Sequence, residues 1–154
     1  MNVMLDVVGL DVRYGSSQVL FGLKLQVHQG ETLALLGRNG AGKSTSMKAI
    51  AGVIAAASGH IQFNEKDITG MPSHLIARDG IGFVPEDRQI FTGLSVQDNL
   101  IIGAKPGPQG EQVWTLERVY EMLPLLFPLR QRMGGLLSGG EQQMLAIGRA
   151  LMTQ

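Results

Sequence analysis

The stretch Gly37-Arg-Asn-Gly-Ala-Gly-Lys-Ser44, followed by Thr45, decides how the sequence around it is interpreted. It matches every fixed position of the P-loop pattern, which joins a strand to a helix. The apolar residues 33–36 precede it without alternation, and such a run is typical of a strand covered on both faces of a parallel sheet. Residues 43–53 after it are predicted to be helical. Strand, glycine loop and helix in this order predict an α/β unit.

The residue types in this loop suit phosphate. Glycines allow consecutive backbone N–H groups to converge where a Cβ would intrude, and the helix N-terminus adds positive charge. Lys43 would reach the β- and γ-phosphates and Ser44 would bind Mg²⁺. A glycine turn that merely joins strand to helix is disfavoured, since all fixed positions match. The predicted nucleotide-binding residues are Gly37, Arg38, Asn39, Gly40, Ala41, Gly42, Lys43, Ser44 and Thr45.

Hydrophobic patterning predicts the other elements. The strands are expected at residues 3–14, 19–27, 31–36, 58–63 and 81–84. The helices are expected at residues 72–78, from Ser95 onward, at 111–123, and from Ser138 to the end, with a loop at 105–110.

Composition excludes several classes of protein. There are no cysteines, which excludes disulfide scaffolds, thiolate metal sites and cysteine nucleophiles. Lys plus Arg equals Asp plus Glu at 13 each, which argues against nucleic-acid binding by bulk positive charge. The longest apolar run, residues 49–57, is far shorter than the roughly 20 residues that cross a bilayer. Asp6 and the lack of a basic leader argue against a signal peptide. His28, His60 and His74 show no metal-ligand spacing.

A second glycine site, Leu137-Ser-Gly-Gly-Glu-Gln142, also begins a helix. Ser138 with Glu141 three residues later forms an ordinary capping box. Two glycines in a first turn cost about 0.5–1 kcal/mol each, which is reasonable if bare backbone must approach an anion. These residues alone leave both interpretations open.

Together, the P-loop and Leu-Ser-Gly-Gly-Glu-Gln resemble the ATP-binding cassette (ABC) family from Met4 to the last residue. The resemblance implies an α/β P-loop NTPase fold with an N-terminal antiparallel β subdomain and a helical signature subdomain, incomplete at the C-terminus. It implies a single nucleotide-binding domain over 1–154. This domain divides into a β subdomain and P-loop core (1–85), a helical subdomain (86–137), and the signature motif with its helix (138–154).

The resemblance also implies roles for residues outside the P-loop. Tyr14 would stack on adenine, although its position alone fits a tyrosine that ends a strand. The signature residues Ser138, Gly139, Gly140 and Glu141 would face the γ-phosphate of ATP on an opposite subunit. Glu86 stands where the family usually has a glutamine that touches Mg²⁺, and a carboxylate suits that ion. Its alternative is a solvated side chain beside Asp87 and Arg88.

Three segments, 83–91, 94–100 and 138–151, resemble the subfamily that powers branched-chain amino acid importers. An importer of urea or short amides is the alternative. The implied ligands are ATP and Mg²⁺. The implied partners are transmembrane permease subunits, a second ATPase subunit of the same or another kind and, indirectly, a substrate-binding protein, without nucleic acid. The permease would dock near residues 86–91 and the helices up to Leu123, at the cytoplasmic face of the inner membrane.

The resemblance also implies a later strand ending in Asp-Glu, which binds Mg²⁺ and positions water, and then a histidine. No residue of 1–154 is assigned these roles, so we expect this chain alone to be inactive in hydrolysis. The implied strand would also pair beside residues 33–36, so we expect this chain alone to be poorly stable. A non-hydrolysing nucleotide-binding module is the alternative from another class. A soluble ABC ATPase of DNA repair or translation is disfavoured by the zero net charge and the importer-like segment. A P-loop kinase or GTPase would not need the second glycine site.

Overall fold

The computed structural model describes residues 2–105 and 113–153. The chain forms two compact units, residues 1–79 and 80–154. The finer division predicted from the sequence, into 1–85, 86–137 and 138–154, stays a prediction.

The first unit is built on an antiparallel sheet. Its strands are β1 (Val3–Tyr14), β2 (Ser17–His28), β3 (Ser58–Phe63) and β4 (Lys66–Asp67), in the order β2-β1-β3-β4. Each neighbouring pair is antiparallel. The predicted strands 3–14, 19–27 and 58–63 are therefore confirmed.

One carboxylate joins three of these strands. Asp11 of β1 accepts hydrogen bonds from the Gly22 amide of β2 (2.6 Å) and from the Ser58 hydroxyl of β3 (2.7 Å). Gln18 Nε2 donates a third, at 3.2 Å. The hydrogen bond from Ser58, followed by that from Gly22, lowers the pKa of Asp11 below its ordinary value of 3.8. The ionised carboxylate therefore stabilises the sheet.

We expect Asp11→Asn to lower the thermal unfolding midpoint at pH 7. Because the folded pKa of Asp11 lies below its unfolded value, its contribution is present above pH 3.8 and is lost as pH falls through the folded pKa. The difference between wild type and variant should shrink as pH falls below about 4. Midpoints measured from pH 3 to 7 check this. A difference that stays constant with pH would show that the charge of Asp11 plays no part.

Two helices belong to the first unit, α1 (Lys43–Ile50) and α2 (Ser73–Arg78). The predicted helix over 43–53 is too long, because Gly52 adopts φ +68°, a left-handed conformation that ends helices. Pro72 precedes α2 as predicted, in an extended conformation that suits a helix start.

Two predicted strands, 31–36 and 81–84, are wrong for the described residues. The segments have no ladder partner there, and a strand requires a neighbour to pair its backbone groups. The apolar run lies open instead: Leu33 is 42% exposed and Leu36 is 92% exposed. The apolar composition of residues 33–36 is still typical of a strand that is covered on both faces.

The second unit is helical. It contains α3 (Val96–Gly103), α4 (Leu116–Met122) and α5 (Gly139–Leu151), with short 3₁₀ turns at Pro124–Leu126 and Gly134–Leu136. The predicted helix 111–123 is shorter at both ends, and residues 106–112 lie outside the described residues. The last helix ends at Leu151 rather than running to Gln154, which is also outside them. The buried core consists of Val96, Leu100, Val119, Leu126, Leu137, Leu145 and Met152.

A fully buried asparagine fastens the start of α3 to the preceding loop. Asn99 Oδ1 accepts from the Phe91 amide at 2.8 Å, and its Nδ2 donates to the Phe91 and Ser95 carbonyls at 2.9 Å each. Ser95 is the N-cap of α3, since its hydroxyl accepts from the Asp98 amide at 3.1 Å. The predicted cap at Ser95 is confirmed.

We expect Asn99→Ala to lower the free energy of unfolding of the complete protein. A buried backbone group left without a partner costs about 1–3 kcal/mol, and Asn99 supplies the acceptor of the Phe91 N–H, whereas the Phe91 carbonyl keeps the Leu94 amide. Denaturant unfolding measures the loss. Gln97→Ala, which removes a half-buried amide from the same helix, is the control. Equal losses in the two variants would contradict this account of Asn99.

Candidate functional site

The glycine loop of residues 37–45 lies at the N-terminus of α1 in the first unit. Gly40 and Gly42 have φ +84° and +91°, which other residues rarely adopt. A Cβ on Gly42 would also lie 2.6 Å from Leu20 Cδ2 of β2, which is buried. The shape of the loop and its contact with β2 therefore both require glycine at 42.

The helix end itself is left open to an anion. The N-cap Gly42 has no side chain to cap α1, and its first turn contains no acidic residue. The first N–H groups of a helix have no acceptor within the helix. Lys43 Nζ donates to the carbonyls of Gly37 (2.7 Å) and Arg38 (2.9 Å), so its ammonium group lies against the loop. Uncapped amides and a cation at one glycine loop fit a phosphate chain.

The nine predicted residues form the loop 37–42 and the first turn of α1. Ala41 N donates to the Arg38 carbonyl at 3.1 Å, which closes the turn. Arg38 and Asn39 are exposed, Ser44 is half-buried in the first turn, and Thr45 is buried against the unit. Their roles in binding stay predictions.

Tyr14 is the last residue of β1 and lies opposite Ser17 across a tight turn. The residue is 48% exposed. The strand that follows the turn carries Leu20, on which Gly42 packs. This placement is compatible both with a ring that receives a base and with a tyrosine that simply ends its strand.

The second glycine site begins α5 in the second unit. Ser138 Oγ accepts from the Glu141 amide at 3.4 Å, and Ser138 N donates to Glu141 Oε2 at 2.7 Å. The predicted capping box is thus confirmed. The hydrogen bond from the Ser138 amide lowers the pKa of Glu141, which keeps the box charged. Gly139 and Gly140 carry no side chain and are exposed, so the capping box does not cover their backbone.

Sequence reasoning gave no role to Arg88, which lies against this helix start. Its Nη2, Nη1 and Cζ atoms lie 3.2, 3.3 and 3.5 Å from the position of a Cβ on Gly139. Its Nη1 donates to Gln142 Oε1 at 3.2 Å. Nothing in the local sequence pattern signals this contact, because it joins residues 54 positions apart.

Glu86 lies in an exposed turn of the second unit, closed by a hydrogen bond from the Arg88 amide to the Pro85 carbonyl at 3.0 Å. Across residues 2–105 and 113–153, no three His, Cys, Asp or Glu side chains gather as a metal site. His28 instead pairs with Glu31 at 2.9 Å, and His60 and His74 are exposed. Within the same ranges no helix is long and apolar enough to cross a membrane.

Three comparisons place the chain among known proteins. The family profile described as ABC transporter matches residues 20–154. The chain is 40% identical to the high-affinity branched-chain amino acid transport ATP-binding protein BraG of Pseudomonas aeruginosa, over 98% of this chain and 65% of BraG. It is 37% identical to the lipopolysaccharide export system ATP-binding protein LptB of Escherichia coli, over 90% of this chain and 58% of LptB.

The fold agrees with these sequences. A nucleotide-free ATP-binding cassette from an ABC transporter superposes with a TM-score of 0.78 at 30% identity, covering 99% of this chain and 66% of that one. The likeness confirms the predicted fold class. The chain spans less than two thirds of the length of these curated relatives. By profile, sequence identity and fold, the chain belongs to the ABC transporter family.

Proposed function

We propose that the complete protein is the ATP-binding and ATP-hydrolysing subunit of an ABC importer for branched-chain or other hydrophobic amino acids. The observation that carries the ATP-binding role is the glycine loop 37–45, where Lys43 Nζ lies 2.7 Å from the Gly37 carbonyl at an uncapped helix start. The likeness to BraG supports the choice of solute. The likeness to LptB, whose name describes export, makes the direction of transport part of the test.

The candidate nucleotide-binding residues of the first unit have separate roles in this proposal. The amides of the glycine loop and the Lys43 ammonium would bind the phosphates of ATP, and Tyr14 would stack on the adenine. Mg²⁺, when bound, would neutralise charge on the phosphates, with an oxygen ligand from Ser44. The role of Glu86, in the second unit, stays a prediction. Thr45, buried behind Ser44, would hold the first turn of α1 in place.

The second unit would complete the site of a second subunit. Ser138, Gly139 and Gly140 would bind the γ-phosphate of ATP held by the partner, so that two cassettes enclose two nucleotides. Glu141 would fix this helix start through its capping bond to Ser138. The carboxylates that bind Mg²⁺ and activate water would come from the remaining part of the complete protein.

The same unit would dock a transmembrane permease at the cytoplasmic face of the membrane. Exposed apolar side chains of this unit, which a partner could cover, support this. They are Phe91 (48% exposed), Ile101 (46%), Ile102 (54%), Met122 (57%), Leu125 (65%) and Phe127 (52%). A groove of about 630 Å³ between Leu116, Tyr120, Phe127 and Arg130 lies on the same unit.

Reconstitution tests the proposal. The complete subunit and its permease are placed in vesicles with ATP. Transport of leucine, urea and acetamide is measured in both directions. We expect inward leucine transport with ATP turnover. Uptake of urea or acetamide alone would select the alternative importer, and outward transport would overturn the import role. Binding of ATP without turnover would favour a non-hydrolysing module.

A further inference from the structure

The loop before α3 contains two consecutive residues in left-handed backbone conformations. Arg88 and Gln89 have φ +64° and +47°, and neither is glycine. Such residues cost free energy and persist only where surrounding contacts hold them, often where function requires it. The contacts that hold this pair therefore identify what the loop is shaped to reach.

Two hydrogen bonds join this pair to α5, while the bonds from the Arg88 amide to the Pro85 carbonyl and from Gln89 to Asp87 stay within the loop. Arg88 Nη1 donates to Gln142 Oε1 at 3.2 Å, and Arg149 Nη2 donates to the Gln89 carbonyl at 2.6 Å. The Arg149 guanidinium also stacks on the Phe91 ring at 5.1 Å. Gln142 and Arg149 are seven residues apart, so they lie on one face of the helix, about two turns apart. The loop is fastened to α5 at both points.

At the start of α5 the contact depends on a missing side chain. A Cβ on Gly139 would lie 3.2–3.5 Å from three atoms of the Arg88 guanidinium, while a Cβ on Gly140 would meet nothing within 4 Å. The guanidinium therefore covers Gly139 but not Gly140. The absence of a side chain therefore has a different consequence at each glycine. At Gly139 it makes room for the Arg88 guanidinium, and at Gly140 it leaves the backbone uncovered.

We infer that Arg88 is a positioning residue for the signature site. Acting through Gly139 and Gln142, its guanidinium fixes the first turn of α5, so that the amides of Gly139 and Gly140 are set for the γ-phosphate of the partner's ATP. This inference rests on the proposed function of the signature residues. Arg88 itself need not touch the nucleotide.

The shape of the guanidinium distinguishes a positioning role of Arg88 from the effect of its positive charge alone. A lysine at 88 would keep the charge, but its ammonium group could not lie flat over Gly139 as the planar guanidinium does. If Arg88 acts by position, Arg88→Lys should behave like Arg88→Ala. If it acts by charge, the lysine should restore function.

The test uses the complete subunit with a slowly hydrolysed ATP analogue. Three quantities are measured for each protein: analogue affinity of the monomer, thermal unfolding midpoint, and the dissociation constant of the nucleotide-bound dimer. The variants are Arg88→Ala, Arg88→Lys, Gln142→Ala and the Arg88→Ala/Gln142→Ala double variant. Arg78→Ala, at an exposed arginine ending α2, is the matched control.

We expect Arg88→Ala and Arg88→Lys each to weaken dimerisation about tenfold, the order expected for one charge-assisted hydrogen bond. Monomer affinity and unfolding midpoint should stay close to those of the Arg78→Ala control, because the hydrogen bond from Arg149 to the Gln89 carbonyl still holds the loop. The loss in the double variant should be smaller than the sum of the two single losses, because both substitutions remove the Arg88–Gln142 hydrogen bond, although Gln142→Ala also removes the bond to the Gly134 carbonyl. This split between dimerisation and stability is what a merely structural arginine would not produce.

Three dimerisation results would overturn the inference: dimerisation of Arg88→Ala equal to that of the control, full restoration by lysine, or additive losses in the double variant. A loss of unfolding midpoint in proportion to the loss of dimer would also overturn it. If the wild-type subunit binds the analogue but forms no dimer, the proposed role of the signature site has failed instead, and the two failures are distinguishable.

Discussion

Replacing Lys43 by alanine should weaken ATP binding by the complete subunit about 10- to 100-fold, the effect of losing one or more charge-assisted hydrogen bonds. The ammonium group lies 2.7 and 2.9 Å from the Gly37 and Arg38 carbonyls, at the loop where the phosphates would bind. Equilibrium binding of a fluorescent ATP analogue to the monomer measures the change.

Lys48→Ala supplies the control, since Lys48 lies in the last turn of the same helix and carries the same charge. We expect it to leave the affinity unchanged. Equal affinity of wild type and Lys43→Ala would remove the central argument for a nucleotide site at residues 37–45. Equal weakening by the two alanines would show that bulk charge, rather than the position of Lys43, attracts the nucleotide.

Replacing Ser138 by arginine should leave ATP binding to the monomer unchanged and abolish the nucleotide-bound dimer. Ser138 is exposed at the start of α5, so a long cationic side chain there would obstruct a partner that approaches the glycines. Size-exclusion chromatography with light scattering, in the presence of a slowly hydrolysed analogue, measures the dimer.

Ser138→Ala is the necessary companion, because either substitution also removes the hydroxyl that caps Glu141. Loss of an N-cap costs about 0.5–2 kcal/mol, so Ser138→Ala should lower the unfolding midpoint, and the loss of one contact to the γ-phosphate should weaken the dimer without abolishing it. If alanine abolishes the dimer as fully as arginine does, the effect comes from the missing hydroxyl rather than from the bulk of the arginine. If the arginine variant still dimerises, Ser138 does not face a partner.

The sequence predicted best those features whose causes lie within a few residues of one another. The glycine loop and its helix, the capping box of Ser138 with Glu141, and the cap at Ser95 are local, so spacing alone identifies them. The antiparallel strands β1 and β2 could also be predicted, because a two-residue turn after Tyr14 joins them.

Features that depend on distant partners were predicted poorly. The runs 31–36 and 81–84 have the composition of buried strands, but a strand forms only where another pairs with it, and composition does not supply that partner. The contact of Arg88 with Gln142 spans 54 residues, so no local pattern predicts it. The left-handed backbone conformations of Arg88 and Gln89 have no sequence signature either. The length of α1 was overestimated because the apolar pattern continues past Gly52, whose backbone ends the helix.

The open apolar residues 33–36 expose the protein to a hazard during its synthesis. Leu36, 92% exposed, leaves the ribosome before the whole of the second unit has been made. Translation adds about 5–20 residues per second, so this unpaired segment meets other nascent chains for several seconds. An unpaired apolar segment can template pairing with another chain. The order in which segments are made, and not only the final contacts, therefore decides how long this apolar segment stays uncovered.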